Sequence, residues 1–150
     1  MALVAMFSLL SSSCKDDDER LDNTDLLIGV WVTKDDVTLF FDDKSEWAYG
    51  KVYFQFNEDG TMIEKDALTR FDNGDTFVMT STFGEWKADG DKLTMTTSFS
   101  DDIDDIPDVN IVTYKLKKHS LIITYTNEWG EQVSWTFVRG EMPKEETAEE

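Results

Sequence analysis

The sequence is poor in the residues that build covalent and metal-bound frameworks. Its 150 residues include one cysteine, one histidine and two prolines. A single cysteine excludes a disulfide within the chain and a cysteine-rich zinc site, and a single histidine excludes a metal site that takes several histidines from one chain. Basic residues are also scarce, with 14 Lys and Arg against 32 Asp and Glu and a net charge of −18. Because phosphates and anionic headgroups require a basic surface, this balance argues against a nucleic acid partner and against electrostatic docking on a membrane.

The residues that are present favour a folded protein. Hydrophobic residues make up 40% and aromatic residues 13% of the sequence. Disordered chains are poor in both, so the composition indicates a globular core. The length allows one domain, with room for a tail.

The N-terminus has the layout of a targeting segment. Residues 1–10 (MALVAMFSLL) are apolar and uncharged, three serines follow, and Cys14 comes next. The apolar run is too short to span a bilayer, which takes about 20 residues. The layout is that of a signal peptide over residues 1–13, and the cysteine directly after it resembles a bacterial lipoprotein signal. A short buried helix is the alternative, but no polar residue would give that helix a solvent face.

The lipoprotein resemblance implies that cleavage leaves Cys14 as the first residue, with lipid on its sulfur and its amine. Acyl chains then hold the protein at a membrane, each buried methylene contributing about 0.8 kcal/mol. Residues 14–26 become an acidic tether. Its start, Lys15 followed by residues 16–19 (DDDE), resembles the surface-export signal of certain Gram-negative lipoproteins. We therefore expect an outer-membrane lipoprotein that faces outward, although the same acids also suit a solvated, extended tether.

The body of the chain reads as eight or nine β-strands. Alternating apolar residues are separated by turn signals every 8 to 12 residues or so, a spacing typical of all-β sandwiches and barrels. Pro107 and Pro143 lie outside these segments, which favours a closed sheet, and the short turns favour up-and-down order. The predicted strands are residues 28–33, 38–41, 51–57, 61–65, 76–87, 92–99, 111–116, 121–126 and 132–139.

Four features of these strands carry a family resemblance. Gly29-Val30-Trp31 opens the first strand, and Arg139 lies near the end of the last. Residues 54–61 (FQFNEDGT) and 84–91 (GEWKADGD) look like repeating signatures of the bacterial lipocalin-like lipoproteins. The resemblance covers about residues 27–140 and implies an up-and-down, antiparallel, calycin-type β-barrel. It also implies that the arginine packs across the tryptophan where the first and last strands meet, so Gly29, Trp31 and Arg139 are expected to close the barrel, with no ligand bound to them.

A barrel of this size has an interior that side chains just fill or that holds one small ligand. Strand alternation selects a set of bulky inward candidates, and the sequence leaves open whether they fill the interior or line a cavity. These candidates are Phe54, Phe56, Phe77, Met79, Phe83, Leu93, Met95, Tyr114 and Trp135.

Two acidic segments lie outside the predicted strands. The loop at residues 100–110 offers hard oxygen ligands of the kind calcium takes, but their spacing departs from the EF-hand pattern, so a solvated connector is favoured over a metal site. Residues 141–150 are expected to be a disordered acidic tail. The loop aspartates are Asp101, Asp102, Asp104, Asp105 and Asp108.

No motif with a known catalytic mechanism is found. The chain has no Gly-x-Ser-x-Gly turn and no phosphate-binding glycine loop, and no acid–base pair can be selected from 32 acidic residues. The sequence therefore predicts a non-enzymatic protein with no cofactor that binds a small apolar ligand and meets the membrane through its lipid anchor only. The alternative is a cell-surface interaction module, a filled barrel that binds a protein or glycan through its loops.

Overall fold

A computed structural model describes residues 24–41, 46–102, 104–127 and 129–144. The predicted signal peptide, the Cys14 lipidation site, residues 15–23 of the tether and residues 145–150 of the tail lie outside these ranges. Within them the only helix is a 3₁₀ turn, Thr24–Leu27, and it is far too short to cross a membrane.

Ten antiparallel strands make up most of the described chain, so the predicted all-β class is confirmed. They are β1 Gly29–Thr33, β2 Val37–Phe41, β3 Glu46–Phe56, β4 Met62–Arg70, β5 Thr76–Thr80, β6 Phe83–Asp89, β7 Lys92–Ser98, β8 Asp108–Leu116, β9 Ser120–Thr126 and β10 Gln132–Arg139.

The strands form one strongly curled sheet in the order β5-β4-β3-β1-β10-β9-β8-β7-β6. Strand β2 follows β1 along the same edge of β3, where β1 pairs with the second half of β3 and β2 with the first half. The other neighbours in the sheet are consecutive in sequence, apart from β1 and β10, the first and last strands of the described chain. This is the up-and-down order that the short turns predicted.

The sheet is not closed, because its ladder is interrupted between β5 and β6. Strand β6 approaches the start of β4 at one isolated bridge, between Glu85 and Thr61, the residue before β4. Next to this bridge, the Trp86 amide donates to the Gly60 carbonyl at 2.9 Å. Between β5 and β6 the chain changes its hydrogen-bonding partner from β4 to β7. The Ser81 amide donates to Glu64 on β4 at 2.9 Å, whereas the Thr82 amide donates to Ser98 on β7 at 2.7 Å.

This division corrects the predicted single strand over residues 76–87. Phe77 and Met79 share the concave face with Leu68 and Asp66, their partners on β4. Because successive strand residues face opposite sides, the turn at residues 81–82 shifts the alternation by one position. Phe83 therefore lies on the convex side, with 42% of its surface exposed, and is not an interior residue.

The hydrophobic core fills the concave side of the sheet. Its largest fully buried side chains are those of Trp31, Phe56 and Phe137, and Leu27 of the 3₁₀ turn is buried with them. The rest of the core comprises Val52, Phe54, Met62, Leu93, Met95, Val112, Tyr114, Leu116, Leu121 and Ile123. Every strand from β1 to β10 except β2, β5 and β6 contributes a buried member to this cluster, which holds the curl together.

Candidate functional site

The seam between β1 and β10, in the middle of the sheet, is closed by Trp31 and Arg139. These two residues are register partners, and the guanidinium carbon lies 3.9 Å from the centre of the indole ring. The Trp31 Nε1 donates to the Leu27 carbonyl at 2.9 Å, and Arg139 donates to the Ile28 carbonyl at 2.9 Å. The seam therefore also holds the 3₁₀ turn in place beneath it.

Gly29 leaves the space that this seam requires. Its φ is +125°, a backbone conformation that favours glycine, and a Cβ there would lie 2.7 Å from Nη1 of Arg139. The structure thus brings Gly29, Trp31 and Arg139 together as structural neighbours.

A cavity of about 440 Å³ lies on the concave face, between β3, β4 and the strands β7 to β10. Its volume lies within the range of small-molecule sites, roughly 300 to 1,000 Å³. Most of its wall is apolar or aromatic, and the polar side chains are few. The wall comprises Phe54, Met95, Ile111, Val112, Ile123, Tyr125, Trp135 and Phe137 with the polar Glu64, Asn110 and Thr126.

The predicted interior residues separate into three groups. Phe54, Met95 and Trp135 line the cavity. Phe56, Leu93 and Tyr114 are buried in the core and do not line it. Phe77 and Met79 are half-buried on β5, away from the cavity, and Phe83 is outside.

Trp135 separates the cavity from a second cleft. Its ring packs edge-to-face on Tyr125 with the centroids 5.8 Å apart. On its other side, a cleft of about 320 Å³ lies between β2 and β10. The cleft exists because β10 pairs with β1 only at residues 137–139 of the described chain, whereas β2 pairs with β3. Trp135 is therefore shared by both spaces.

Two acidic side chains also face the concave side. Glu64 and Asp66 alternate on β4 and pair in register with Phe54 and Val52 of β3. Glu64 lines the cavity, whereas Asp66 is 4% exposed. The two carboxyl groups are close enough to interact, and the Asp66 Oδ1 has no hydrogen-bond partner in the described part of the chain.

The environment keeps a proton on this pair. Burial raises the pKa of Glu64 to about 9, with repulsion from Asp66 and Asp108 as further causes. Burial also raises the pKa of Asp66, although the hydrogen bond from Glu64 acts in the opposite direction. At neutral pH Glu64 therefore holds a proton.

The sequence reasoning missed this pair because the predicted strand ended at residue 65. The signal was nevertheless present, since Met62 and Leu68 lie in the same alternation phase as Glu64 and Asp66. Acidic residues are almost never fully buried unless they are paired, so such positions are read as solvent-facing.

The acidic loop is a compact, exposed turn. The Asp104 amide donates to Asp102 Oδ1 at 3.0 Å, and the Ser100 hydroxyl donates to Asp105 Oδ2. In the part of the chain that the structure describes, no group of His, Cys, Asp and Glu side chains could hold a metal ion. Asp101, Asp102, Asp104 and Asp105 lie in the loop before β8, and Asp108 begins β8.

The C-terminal segment runs on past β10. Met142 and Pro143 are half-buried, and Pro143 and Lys144 line a pocket together with residues of β4 and β5.

Compared with known proteins, the chain matches no family model, no curated protein and no solved structure.

Proposed function

We propose that this protein is a lipid-anchored, lipocalin-like binding protein that holds one small apolar molecule on the concave face of its sheet. The observation that carries the proposal is the cavity of about 440 Å³ with its aromatic wall. Apolar surface that is left open to water is costly, and a bound apolar molecule removes it from water at about 25 cal/mol per Å². Binding in this cavity would therefore be driven by the hydrophobic effect.

The lipocalin-like barrel is part of the same proposal. It is supported by the up-and-down strand order, by the pairing of β1 with β10 and by the Arg139 guanidinium over Trp31. The approach of β6 to the start of β4 at Thr61 and Glu85 is where such a barrel would complete its ladder.

The lipid anchor and the location rest on the sequence. Cys14 follows an apolar run and three serines, and an acidic segment follows it. We place the protein at the outer membrane of a Gram-negative bacterium, facing outward, with acyl chains as the membrane contact. The net charge of −18 fits this arrangement, because it gives the domain no electrostatic reason to lie on anionic headgroups.

We propose binding, and not catalysis, because the sequence carries no motif with a known catalytic mechanism. Glu64 lines the cavity, so its carboxyl group is placed to contact a bound ligand.

Native mass spectrometry of protein purified from its own host, released from detergent, tests the proposal. The expected species is the lipidated chain from Cys14 with one further small molecule bound, and that molecule should be lost on denaturation. Protein that carries no small molecule, and that also takes up no apolar probe, would contradict the proposal.

A second candidate function is favoured by an aromatic patch on the convex face. Phe40 and Trp47 have ring centroids 4.9 Å apart, and Tyr49 and Phe71 have centroids 4.7 Å apart. Trp47 is 51% and Phe71 is 58% exposed. Exposed aromatic patches mark interaction sites, so this face would bind a protein or glycan. Loss of a captured partner in Trp47→Ala, with uptake of an apolar probe unchanged, would support this second role.

A further inference from the structure

We propose that the ligand is an amphipathic amine, whose apolar body occupies the concave cavity and whose ammonium group binds the Glu64–Asp66 pair. This inference rests on the proposed binding function and adds the chemical class of the ligand.

The cavity has an apolar body and one acidic corner. Its wall on β9 and β10 is formed by Ile123, Tyr125, Trp135 and Phe137. The carboxyl group of Glu64 lies on the opposite wall. A ligand that fills this space without leaving Glu64 unmatched needs a long apolar part and a single polar end.

A second acidic group, Asp66, lies beside this corner without forming part of the cavity wall, and it carries an acceptor without a donor. Asp66 is 4% exposed, faces the concave side beside Glu64, and its Oδ1 accepts no hydrogen bond in the described structure. A buried polar atom left unpaired costs roughly 1 to 3 kcal/mol, and more when the group is charged. An ammonium group carries three N–H donors and no acceptor. It can therefore satisfy both carboxyl groups at once, whereas a hydroxyl has only one donor and a carboxylate has none.

The charges around the pair also select a cation. Among the described residues, Val52 and Phe54 on β3 and Met79 on β5 are its register neighbours, and none of them carries a charge. The charged group that acts on Glu64 from another strand is Asp108, an acid at the start of β8.

The surroundings of the cavity extend this acidic field. Asp108 follows directly on a loop with four further aspartates, and the chain as a whole carries −18. Such a field raises the local concentration of cations and repels anions. A fatty acid with the same alkyl chain as a bound amine would therefore bind more weakly than the amine.

Binding of the ammonium group has a proton balance. In the free protein Glu64 holds its proton beside the Asp66 carboxyl group. The ammonium group takes the place of that proton as the donor between them, and the proton leaves to the buffer. Calorimetry in two buffers of different ionisation enthalpy should therefore show proton release with an amine and none with an alcohol.

The test compares three ligands of one length: decylamine, decanol and decanoate, each below its micellar concentration, by calorimetry on the full chain at pH 7. We expect decylamine to bind at least tenfold more tightly than decanol, and decanoate more weakly than both. The double variant Glu64→Gln/Asp66→Asn keeps the side-chain shapes and should reduce decylamine affinity at least tenfold, with decanol affinity unchanged or improved. The matched control Glu85→Gln/Asp89→Asn removes two exposed acids of β6 and should leave the preference intact.

The outcomes separate the two proposals. If decanol binds and decylamine binds no better, the amine proposal is overturned while apolar binding stands. If none of the three ligands binds, the proposed binding function is contradicted as well. Should the double variant fail to fold by circular dichroism, Asp108→Asn replaces it, because Asp108 is exposed and acts on the pair through its charge alone. That variant should weaken decylamine severalfold and leave decanol unchanged, and an unchanged decylamine affinity would overturn the amine proposal.

Discussion

At the scale of single residues, the seam between β1 and β10 depends on one buried ring. Trp31 is 1% exposed and satisfies its indole N–H on the carbonyl of Leu27. Arg139 packs over the ring, and its guanidinium group donates hydrogen bonds to the carbonyls of Leu26 and Ile28. These contacts join the first and last strands of the described chain, so loss of the ring should lower the stability of the whole fold.

Replacement of Trp31 with Ala should lower the free energy of unfolding by about 3 to 5 kcal/mol, because it leaves a cavity in the core. Arg139→Ala should be coupled to it by about 0.5 to 2 kcal/mol in a double-mutant cycle, since the cation–π contact is lost only once. Trp47→Ala is the control, because Trp47 is 51% exposed and a surface change should cost less than about 1 kcal/mol. Urea denaturation measures wild type, the two single variants, the double variant and the control. A Trp31→Ala loss below about 1 kcal/mol, or additive effects of the two changes, would contradict the role given to the seam.

The proton held by Glu64 gives the fold a pH dependence of known sign. Its pKa rises from an ordinary 4.5 to about 9 on folding, so between these values the folded chain binds more protons than the unfolded chain. The stabilisation is fully present below pH 4.5 and is lost as the pH rises toward 9. One such proton changes the free energy of unfolding by at most about 1.4 kcal/mol per pH unit.

The variant Glu64→Gln keeps a donor to Asp66 and removes the titration. We expect wild type to lose stability relative to this variant as the pH rises from 5 to 9 in urea denaturation. Glu85→Gln, on the exposed face of β6, should instead follow the wild-type curve at a constant offset. If the Glu64→Gln curve also runs parallel to wild type, Glu64 does not hold the proton.

At the scale of elements, two strands, β5 and β6, replace the single strand predicted over residues 76–87. Ser81 is hydrogen-bonded to β4, whereas Thr82 is hydrogen-bonded to β7. The Thr82 hydroxyl also donates to the Ser98 carbonyl at 3.1 Å and to the Ser100 carbonyl, beyond the end of β7, at 2.6 Å. Gly84 then lets β6 pass close to β4. A Cβ at Gly84 would lie 2.2 Å from the carbonyl oxygen of Met62.

The variant Gly84→Ala should therefore push β6 away from β4 and cost about 1 to 3 kcal/mol, in the range for overpacking. The amide of Trp86, bonded to the Gly60 carbonyl, should exchange faster with deuterium. Gly74→Ala is the control: its φ of +73° strains the turn, but nothing lies within 4 Å of the added methyl group. Its effect should leave exchange at Trp86 unchanged. Equal exchange at Trp86 in Gly84→Ala and wild type would show that the close approach of β6 is not needed.

The same elements show how far the sequence predicts the structure. Alternation located most strands, because a half-buried strand has a period of two that survives in the sequence. Alternation did not reveal the turn at residues 81–82, because each half of residues 76–87 alternates regularly by itself. Only the pairing of the first half with β4 and of the second half with β7 shows that the inward-facing positions shift by one residue. Alternation also missed the first half of β3, where Gly50 packs against the backbone of Ala67 and supplies no apolar signal.

The candidate site was harder to predict for a related reason. Alternation identifies a face but not the curvature that turns part of that face into a cavity, so Phe54 and Phe56 looked equivalent although only Phe54 lines the cavity. Glu64 and Asp66 were hidden because acids in a strand normally face solvent.

At the scale of the whole molecule, the proposed lipid anchor at Cys14 lies outside the described residues, apart from the sheet and its cavity. We predict that Cys14→Ala moves the protein from the membrane fraction to the soluble fraction without changing the far-ultraviolet circular dichroism of the domain. The reason is that acyl chains on Cys14 would be the sole membrane attachment. Cys14→Ser is a matched control that should behave in the same way, since neither residue accepts the lipid. Wild-type protein that enters the aqueous phase of a detergent separation, when made in a host with lipoprotein processing, would show the prediction wrong.

The central claim is that the concave face holds a small apolar molecule, and the fluorescence of an apolar naphthylamine probe tests it most directly. Asn110 lies at the exposed edge of the cavity wall on β8, so Asn110→Trp should fill the cavity with little disturbance of the core. Lys115→Trp adds the same ring to an exposed position of the same strand, facing the other side. Wild type and Lys115→Trp should bind the probe at a single site with equal affinity, and Asn110→Trp should lose at least tenfold in affinity. Equal probe binding by all three proteins would contradict the claim.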